Sequence, residues 1–173
     1  MANISATPMQ NFVRLSVAMT GIAQSVLAPD VDPFNMKQLY FDTANAKDGP
    51  TFQQLLGIVA ANPTLTGDAL ANLILNQSGE AVGFLGRAIL LMWYFGAWYD
   101  PTALQTAAQQ AAKGQNPAPG TFPYTVLTAD AYTQGWIWSV AQAHPMGYSN
   151  LRFGYWNSPP PPLSAFTGQG TTP

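Results

Sequence analysis

The single histidine of the chain is His144, and Pro145 follows it. A histidine that acts as a general base needs a second side chain to orient it, yet the sequence contains no His-x-x-x-His or Glu-x-x-His pair. A metal site built on one histidine would have to take its other ligands from carboxylates. We interpret His144 as a residue at the C-terminal end of a helix, where an imidazole meets the last backbone carbonyls.

The acidic side chains stand where helices are expected to begin. Asp32 and Asp100 precede prolines, as N-cap residues do. Asp68, Asp130 and Glu80 fall in first helical turns, where the helix dipole favours a negative charge. Nothing in their spacing proposes a pair of carboxylates for acid and base catalysis. We therefore interpret these residues as structural.

Two further sources of chemistry are missing from the sequence. The chain has no cysteine, which excludes disulfides, thiolate catalysis, iron–sulfur clusters and attachment of haem c. The segment Gly83-Phe-Leu-Gly86 is not a phosphate-binding loop, because no strand precedes it and no Gly-Lys-Ser/Thr follows it. We predict that this chain is not an enzyme and has no catalytic, metal or cofactor site of its own.

Charged residues make up 8% of the 173 residues, against about 25% in ordinary globular domains. Either the surface is polar but uncharged, or a partner covers much of it, and we favour the partner. The net charge of −2 excludes a basic surface for nucleic acid. The apolar run at 88–99 is too short to span a bilayer, which takes about 20 residues. No direct membrane span is expected.

Prolines and glycines divide the chain into helical segments. The sequence predicts an all-α fold, an irregular bundle of about six helices over residues 1–145, followed by an extended C-terminal tail over 146–173 that is rich in proline and aromatic residues. No alternation of apolar and polar residues is long enough to predict a β-strand. The segments that we expect to be helical run from Thr7-Pro8 to Pro29, from Asp32-Pro33 towards Ala46, from Gly49-Pro50 to Asn62, onward from Thr66, from Glu80 to Tyr99, from Asp100-Pro101 to Gly114, and from Thr128 to Pro145.

Aromatic residues are the most distinctive feature that remains. Trp93, Phe95 and Trp136 are expected in the core. Other aromatic residues are better placed at an interface, since Trp and Tyr are enriched there. The predicted partner-binding residues are Trp98, Tyr99, Trp138, Tyr148, Phe153, Tyr155 and Trp156.

The aromatic segments also resemble a known family. Leu91-Met-Trp-Tyr-Phe-Gly96, Ala131-Tyr-Thr-Gln-Gly-Trp136, Pro145-Met-Gly-Tyr-Ser149 and Gly154-Tyr-Trp-Asn-Ser-Pro159 are similar in order and spacing to the small (gamma) subunit of membrane-bound, FAD-dependent sugar and polyol dehydrogenases. Sorbitol, fructose and glucose dehydrogenases are of this type. The resemblance covers residues 70 to 160, and no single motif in it is as specific as a metal-binding box.

The resemblance implies a heterotrimer. An FAD-containing catalytic subunit and a multihaem cytochrome c subunit would be the partners, and the small subunit would hold no cofactor. It would assist maturation of the catalytic subunit and its twin-arginine export, which implies a periplasmic location, membrane-associated through the complex. The chain begins Met1-Ala2-Asn3 without a charged and apolar leader, so this reading requires that a leader has been removed.

Two other functions remain open at the level of sequence. The chain could be a stand-alone exported helical protein whose aromatic clusters line a ligand pocket. A hydrolase that uses scattered aspartates and His144 is a third hypothesis. Within the family reading, the sugar or alcohol oxidised is set by another chain.

Overall fold

The computed structural model describes residues 6–115, 123–141 and 143–145, and the single positions 157, 159, 162 and 164. The described residues are mainly helical, as the sequence predicts, but they form more and shorter helices than the six expected. They also contain two short strands, which the sequence analysis did not predict. The tail 146–173, apart from those single positions, lies outside the described residues.

Helix α1, Pro8–Thr20, begins as predicted. The Thr7 hydroxyl accepts from the Gln10 backbone N–H, and the Gln10 side chain accepts from the Thr7 N–H. The helix ends at Gly21, which adopts a left-handed conformation with φ 69°. A separate short helix, α2, covers Gln24–Leu27, so the prediction of one continuous helix up to Pro29 is wrong.

Helix α3, Met36–Lys47, starts after Asn35 and not at the Asp32-Pro33 pair. Asp32 instead accepts from the backbone N–H of Lys37 at 3.3 Å. The next helix, α4, covers Gly49–Ala61 and agrees with the predicted limits. Its N-cap is Asp48, whose carboxylate accepts from the Thr51 N–H at 3.3 Å.

A long central helix organises the rest of the fold. Helix α5, Gly67–Asn72, continues into a π-helical turn at Leu73–Gln77, and α6 then runs over Glu80–Phe95. A Cβ atom on Gly83 would lie 2.8 Å from the Leu75 carbonyl oxygen. Glycine at this position of α6 therefore permits close approach of the two backbones.

The core lies between α6 and the helices α1, α3 and α4. Its largest members are aromatic rings that meet edge to face, with centroid distances of 5.8 Å between Phe12 and Phe52 and 4.7 Å between Tyr40 and Trp93. The prediction that Trp93 is buried is confirmed. Apolar packing of α6 against these three helices holds this half of the chain together.

One guanidinium ties α1 to the end of α4. The Arg14 guanidinium donates to one backbone carbonyl in the last turn of α4 and to three that follow the helix. The donor–acceptor distances are 3.0 to 3.3 Å, and the carbonyls are those of Val59, Asn62, Pro63 and Leu65. Carbonyls at a helix C-terminus lack intrahelical donors, so a positive charge is favourable there.

Burial of Tyr40 makes the free energy of unfolding fall at alkaline pH. Its side chain is 1% exposed, and burial, with a smaller contribution from Asp32, raises its pKa above the ordinary value of 10.0. The folded state therefore keeps the proton while the unfolded chain ionises, and the free energy of unfolding falls above pH ~10 by up to about 1.4 kcal/mol per pH unit from this group. We expect Tyr40→Phe to lose less stability than the wild type between pH ~9 and ~11 in urea titrations. Equal losses in both proteins would contradict this assignment.

The described residues that follow α6 include a two-stranded sheet. Strand β1, Ala97–Tyr99, pairs antiparallel with β2, Tyr124–Val126. Helix α7, Pro101–Ala112, follows β1, with Asp100 as its N-cap and Gly114 in a left-handed conformation after its end, as predicted. None of the residues of α7 is buried, so this helix lies on the surface.

The last described helices are α8, Ala129–Thr133, and α9, Trp136–Val140. Thr128 caps α8 by accepting from the Ala131 N–H at 2.9 Å, as the sequence predicts. The single helix predicted from Thr128 to Pro145 is wrong, because the chain leaves helical geometry at Gly135.

Candidate docking groove

A groove lined by aromatic side chains lies where the end of α6, both strands and the α8–α9 pair meet. Its volume is about 230 Å³. We call it the aromatic groove. Its described lining residues are Phe95, Ala97, Tyr99, Tyr124, Val126, Tyr132, Ile137 and Trp138.

Gly96 is the turning point that brings these elements together. It adopts φ 63°, ends α6 and lets the chain enter β1. Its carbonyl accepts from the Leu127 N–H at 3.0 Å. A Cβ atom at this position would overlap the carbonyl group of Ala131 and lie 2.6 Å from the Tyr132 nitrogen. Only glycine therefore allows α8 to pack directly on the end of α6.

Successive side chains of β1 point to opposite faces of the sheet, one towards the groove and the other towards the core. Ala97 pairs with Val126 and Tyr99 with Tyr124, so these four residues share one face of the sheet. Trp98 belongs to the opposite face and is buried in the hydrophobic core, with 6% of its surface exposed. Its indole therefore offers a partner almost no surface, which removes Trp98 from the set of partner-binding residues.

Rings cover the sheet side of the groove. The Tyr99 and Tyr124 rings stack, with centroids 5.5 Å apart and planes inclined by 24°. Phe95 meets Tyr99 edge to face at 6.3 Å. Phe95 is 37% exposed and Tyr124 is 59% exposed, so the prediction that Phe95 belongs to the core is wrong. As the last residue of α6, it lies beside the strands and over the groove.

The α8–α9 pair forms the other wall. The Trp138 Nε1–H donates to the Tyr132 carbonyl at 2.7 Å, and the rings of the two residues meet edge to face at 5.3 Å. A Cβ atom on Gly135 would lie 2.7 Å from the Tyr94 carbonyl oxygen, so this break between the helices packs closely on α6. The wall is thus held in place by backbone contacts.

The groove is free of charge. None of its described lining residues is Asp, Glu, Lys, Arg or His. Burial, and secondly the neighbouring Tyr124, raise the pKa of Tyr99, which favours the neutral phenol. A partner that covers this surface would not have to desolvate an unpaired ion.

The structure brings together two of the predicted partner-binding residues, Tyr99 and Trp138. Tyr148, Phe153, Tyr155 and Trp156 lie outside the described residues, and their role stays a prediction. The sequence did not single out Tyr124 or Val126 for this surface, because a three-residue strand is too short to show alternation. The prediction that Trp136 belongs to the core is confirmed in part, since it is half-buried and packs against it.

The side chains that could take part in catalysis or bind a metal do not line the groove. The Nδ1 atom of His144 lies 3.0 Å from the Pro145 carbonyl oxygen, beyond the end of α9. Across the described ranges, no group of three or more His, Asp or Glu side chains is placed to hold a metal ion. None of the helices found there has the length and apolar character needed to cross a membrane.

The described part of this protein is thus a mainly helical chain with a small sheet and an exposed, uncharged aromatic groove. The sequence matches no protein-family model, no curated protein and no solved structure.

Proposed function

We propose that this chain is the non-catalytic small subunit of an FAD-dependent sugar or alcohol dehydrogenase complex, and that it binds the catalytic flavoprotein through the aromatic groove. The observation that carries the proposal is an exposed, uncharged surface of large rings in a chain with 8% charged residues. Tyr and Trp are enriched at protein interfaces, and the centres of interfaces are depleted of charge.

The resemblance to the small subunits of such dehydrogenases adds support, because residues that carry it meet at the groove. Phe95 and Tyr132 line the groove. Gly96, the glycine of the Trp-Tyr-x-Gly pattern, is the residue that allows α8 to pack against α6. Trp93 lies in the core beneath them. The two segments of the resemblance that the structure describes, 91–96 and 131–136, therefore meet in one region.

In the proposed complex, FAD belongs to the catalytic subunit and haem c to a multihaem cytochrome subunit. The small subunit would stabilise the flavoprotein during its maturation and accompany it through twin-arginine export. The complex would be periplasmic and membrane-associated. Substrate specificity would reside in the catalytic subunit.

A stand-alone ligand-binding protein is the second candidate, and the size of the groove counts against it. Pockets for small molecules typically enclose about 300–1,000 Å³ and bury most of the ligand. The aromatic groove measures about 230 Å³, and several of its lining side chains are exposed. A small surface with exposed side chains suits a protein partner better than an enclosed ligand.

The isolated chain is expected to bind a dye that fluoresces on apolar surfaces, or to self-associate, because the groove is then uncovered. Co-expression with the FAD-containing subunit should remove the dye signal. The matched control is Tyr124→Ser combined with Tyr132→Ser, which should reduce dye binding by the isolated chain. A monodisperse monomer that gives no dye signal would count against the proposal.

A further inference from the structure

The outer edge of β2, the side that faces away from β1, pairs with no other strand among the described residues. Strands β1 and β2 are neighbours in a sheet with no third strand among the described residues. All three residues of β2 are exposed. A sheet of only two short strands is marginal by itself in water, so this edge is a place where an additional strand adds stability.

The register identifies which backbone groups point outward. The Leu127 N–H donates to the Gly96 carbonyl at 3.0 Å, and residues 96 and 127 are opposite in the ladder. Hydrogen-bonded pairs alternate in an antiparallel ladder, so Trp98 and Thr125 form the next such pair. The N–H and C=O groups of Tyr124 and Val126 consequently point away from β1. No hydrogen bond to these groups is found among the described residues.

Within the part of the chain that the structure describes, the outer edge of β2 lacks the usual protection against strand addition. Edge strands are commonly blunted by charged side chains, by bulges or by proline. The three residues Tyr124, Thr125 and Val126 carry no charge. Pro123 precedes them, but by the same alternation its nitrogen lies on the β1 side and does not shield the outer edge.

We infer that an extended, uncharged segment of the flavoprotein subunit adds to the outer edge of β2 as a third strand, with an apolar side chain entering the aromatic groove. The inference rests on the proposed function and specifies how the partner binds. Main-chain hydrogen bonds to Tyr124 and Val126 provide affinity, and the groove selects the side chain. Because Tyr124 and Val126 also line the groove, one added strand satisfies the free backbone groups and covers the exposed rings together.

A second copy of this chain is a weaker occupant. Pairing of two β2 edges would involve three residues from each copy. A stable interface buries about 800 Å² per partner, which three residues cannot supply. A strand from a large subunit is instead one part of a wider contact.

Hydrogen exchange of the purified chain, alone and bound to the FAD-containing subunit, tests the inference directly. The amides of Tyr124 and Val126 should exchange quickly in the free chain and become protected in the complex. The amide of Thr125, which is paired with Trp98, should be protected in both states and serves as an internal reference.

A pair of variants separates the backbone contribution from that of the side chain. Val126→Pro removes an outward N–H, and Val126→Ala shortens the side chain but keeps the N–H. We expect Val126→Pro to bind the flavoprotein subunit about 10-fold more weakly than Val126→Ala, because an interstrand hydrogen bond is lost and proline obstructs the added strand. Equal thermal melting of the two free variants would show that pairing with β1 is intact.

The outcomes are distinct. Protection of both outward amides together with the weaker binding of Val126→Pro supports strand addition. A complex in which these amides still exchange quickly, and in which both variants bind alike, overturns strand addition but leaves the proposed function standing. Absence of any complex overturns both. Protection that appears on concentrating this chain alone, and that the FAD-containing subunit does not displace or extend, identifies a second copy as the occupant and overturns the inference.

Discussion

Replacement of Gly96 by alanine is expected to lower the free energy of unfolding by about 4 kcal/mol or more, which is exceptional for a single substitution. The left-handed backbone at φ 63° costs a residue with a Cβ atom about 1–2 kcal/mol. The larger part arises because the added Cβ would overlap the Ala131 carbonyl, which is backbone and cannot rotate away. Urea denaturation of the two purified proteins measures the difference.

Gly114→Ala is the matched control for this substitution. Gly114 also has a positive φ, 73°, but a Cβ atom there would meet nothing within 4 Å. It should therefore cost only the conformational strain, about 1–2 kcal/mol. If the two alanine variants were equally stable, the close packing of α8 on Gly96 would be refuted. The same overlap should displace Tyr132 in the Gly96 variant and so weaken partner binding.

Replacement of Tyr124 by alanine is expected to weaken binding to the FAD-containing subunit by about 10- to 100-fold, equivalent to about 1.4–2.8 kcal/mol. Tyr124 is 59% exposed in the chain, so its removal should leave the fold stable while it deletes one ring of the stack with Tyr99. Biolayer interferometry with the immobilised flavoprotein subunit gives the dissociation constants.

Phe34→Ala is the control for this second prediction. Phe34 is an aromatic residue with 41% exposure, comparable in kind to Tyr124, but it does not line the groove. Its removal should change the affinity by less than about twofold. Equal losses at positions 34 and 124 would show that the groove has no special part in binding.

Some helices were predictable because residues typical of helix ends stand at both of their limits. Helix α4 begins at the Gly49-Pro50 pair and ends before Asn62, and α7 lies between the Asp100 cap and Gly114, as the sequence indicates. In these cases, the residues that start and stop the helix act on their immediate neighbours. The fold class was predictable at the same coarse level, as a mainly helical chain.

The helical spacing of apolar residues gave wrong helix limits where a glycine ends a helix but the apolar spacing continues beyond it. Ile22 and Val26 continue the spacing of α1 beyond Gly21, although the backbone turns there. The stripe formed by Tyr132, Trp136 and Val140 likewise passes through Gly135, where α8 and α9 separate. The break at Gly135 depends on close contact with the Tyr94 carbonyl, which is a tertiary contact and invisible in local sequence.

The candidate site was predictable only in part for a related reason. Tyr99 and Trp138 were identified by residue type, and both line the groove. Trp98 was assigned to the same surface by residue type as well, within a helix that was predicted to run up to Tyr99. Once the chain becomes a strand after Gly96, neighbouring residues point to opposite faces, and Trp98 turns into the core.

Co-purification with the FAD-containing subunit tests the central proposal most directly. The affinity-tagged small chain, co-expressed with that subunit, should elute as a complex whose flavin absorbance corresponds to one FAD per small chain. The tagged Tyr124→Ala, Tyr132→Ala variant should retain much less flavin under the same wash. Elution of the wild-type chain as a flavin-free monomer, beside a flavoprotein that folds and is active without it, would contradict the proposal.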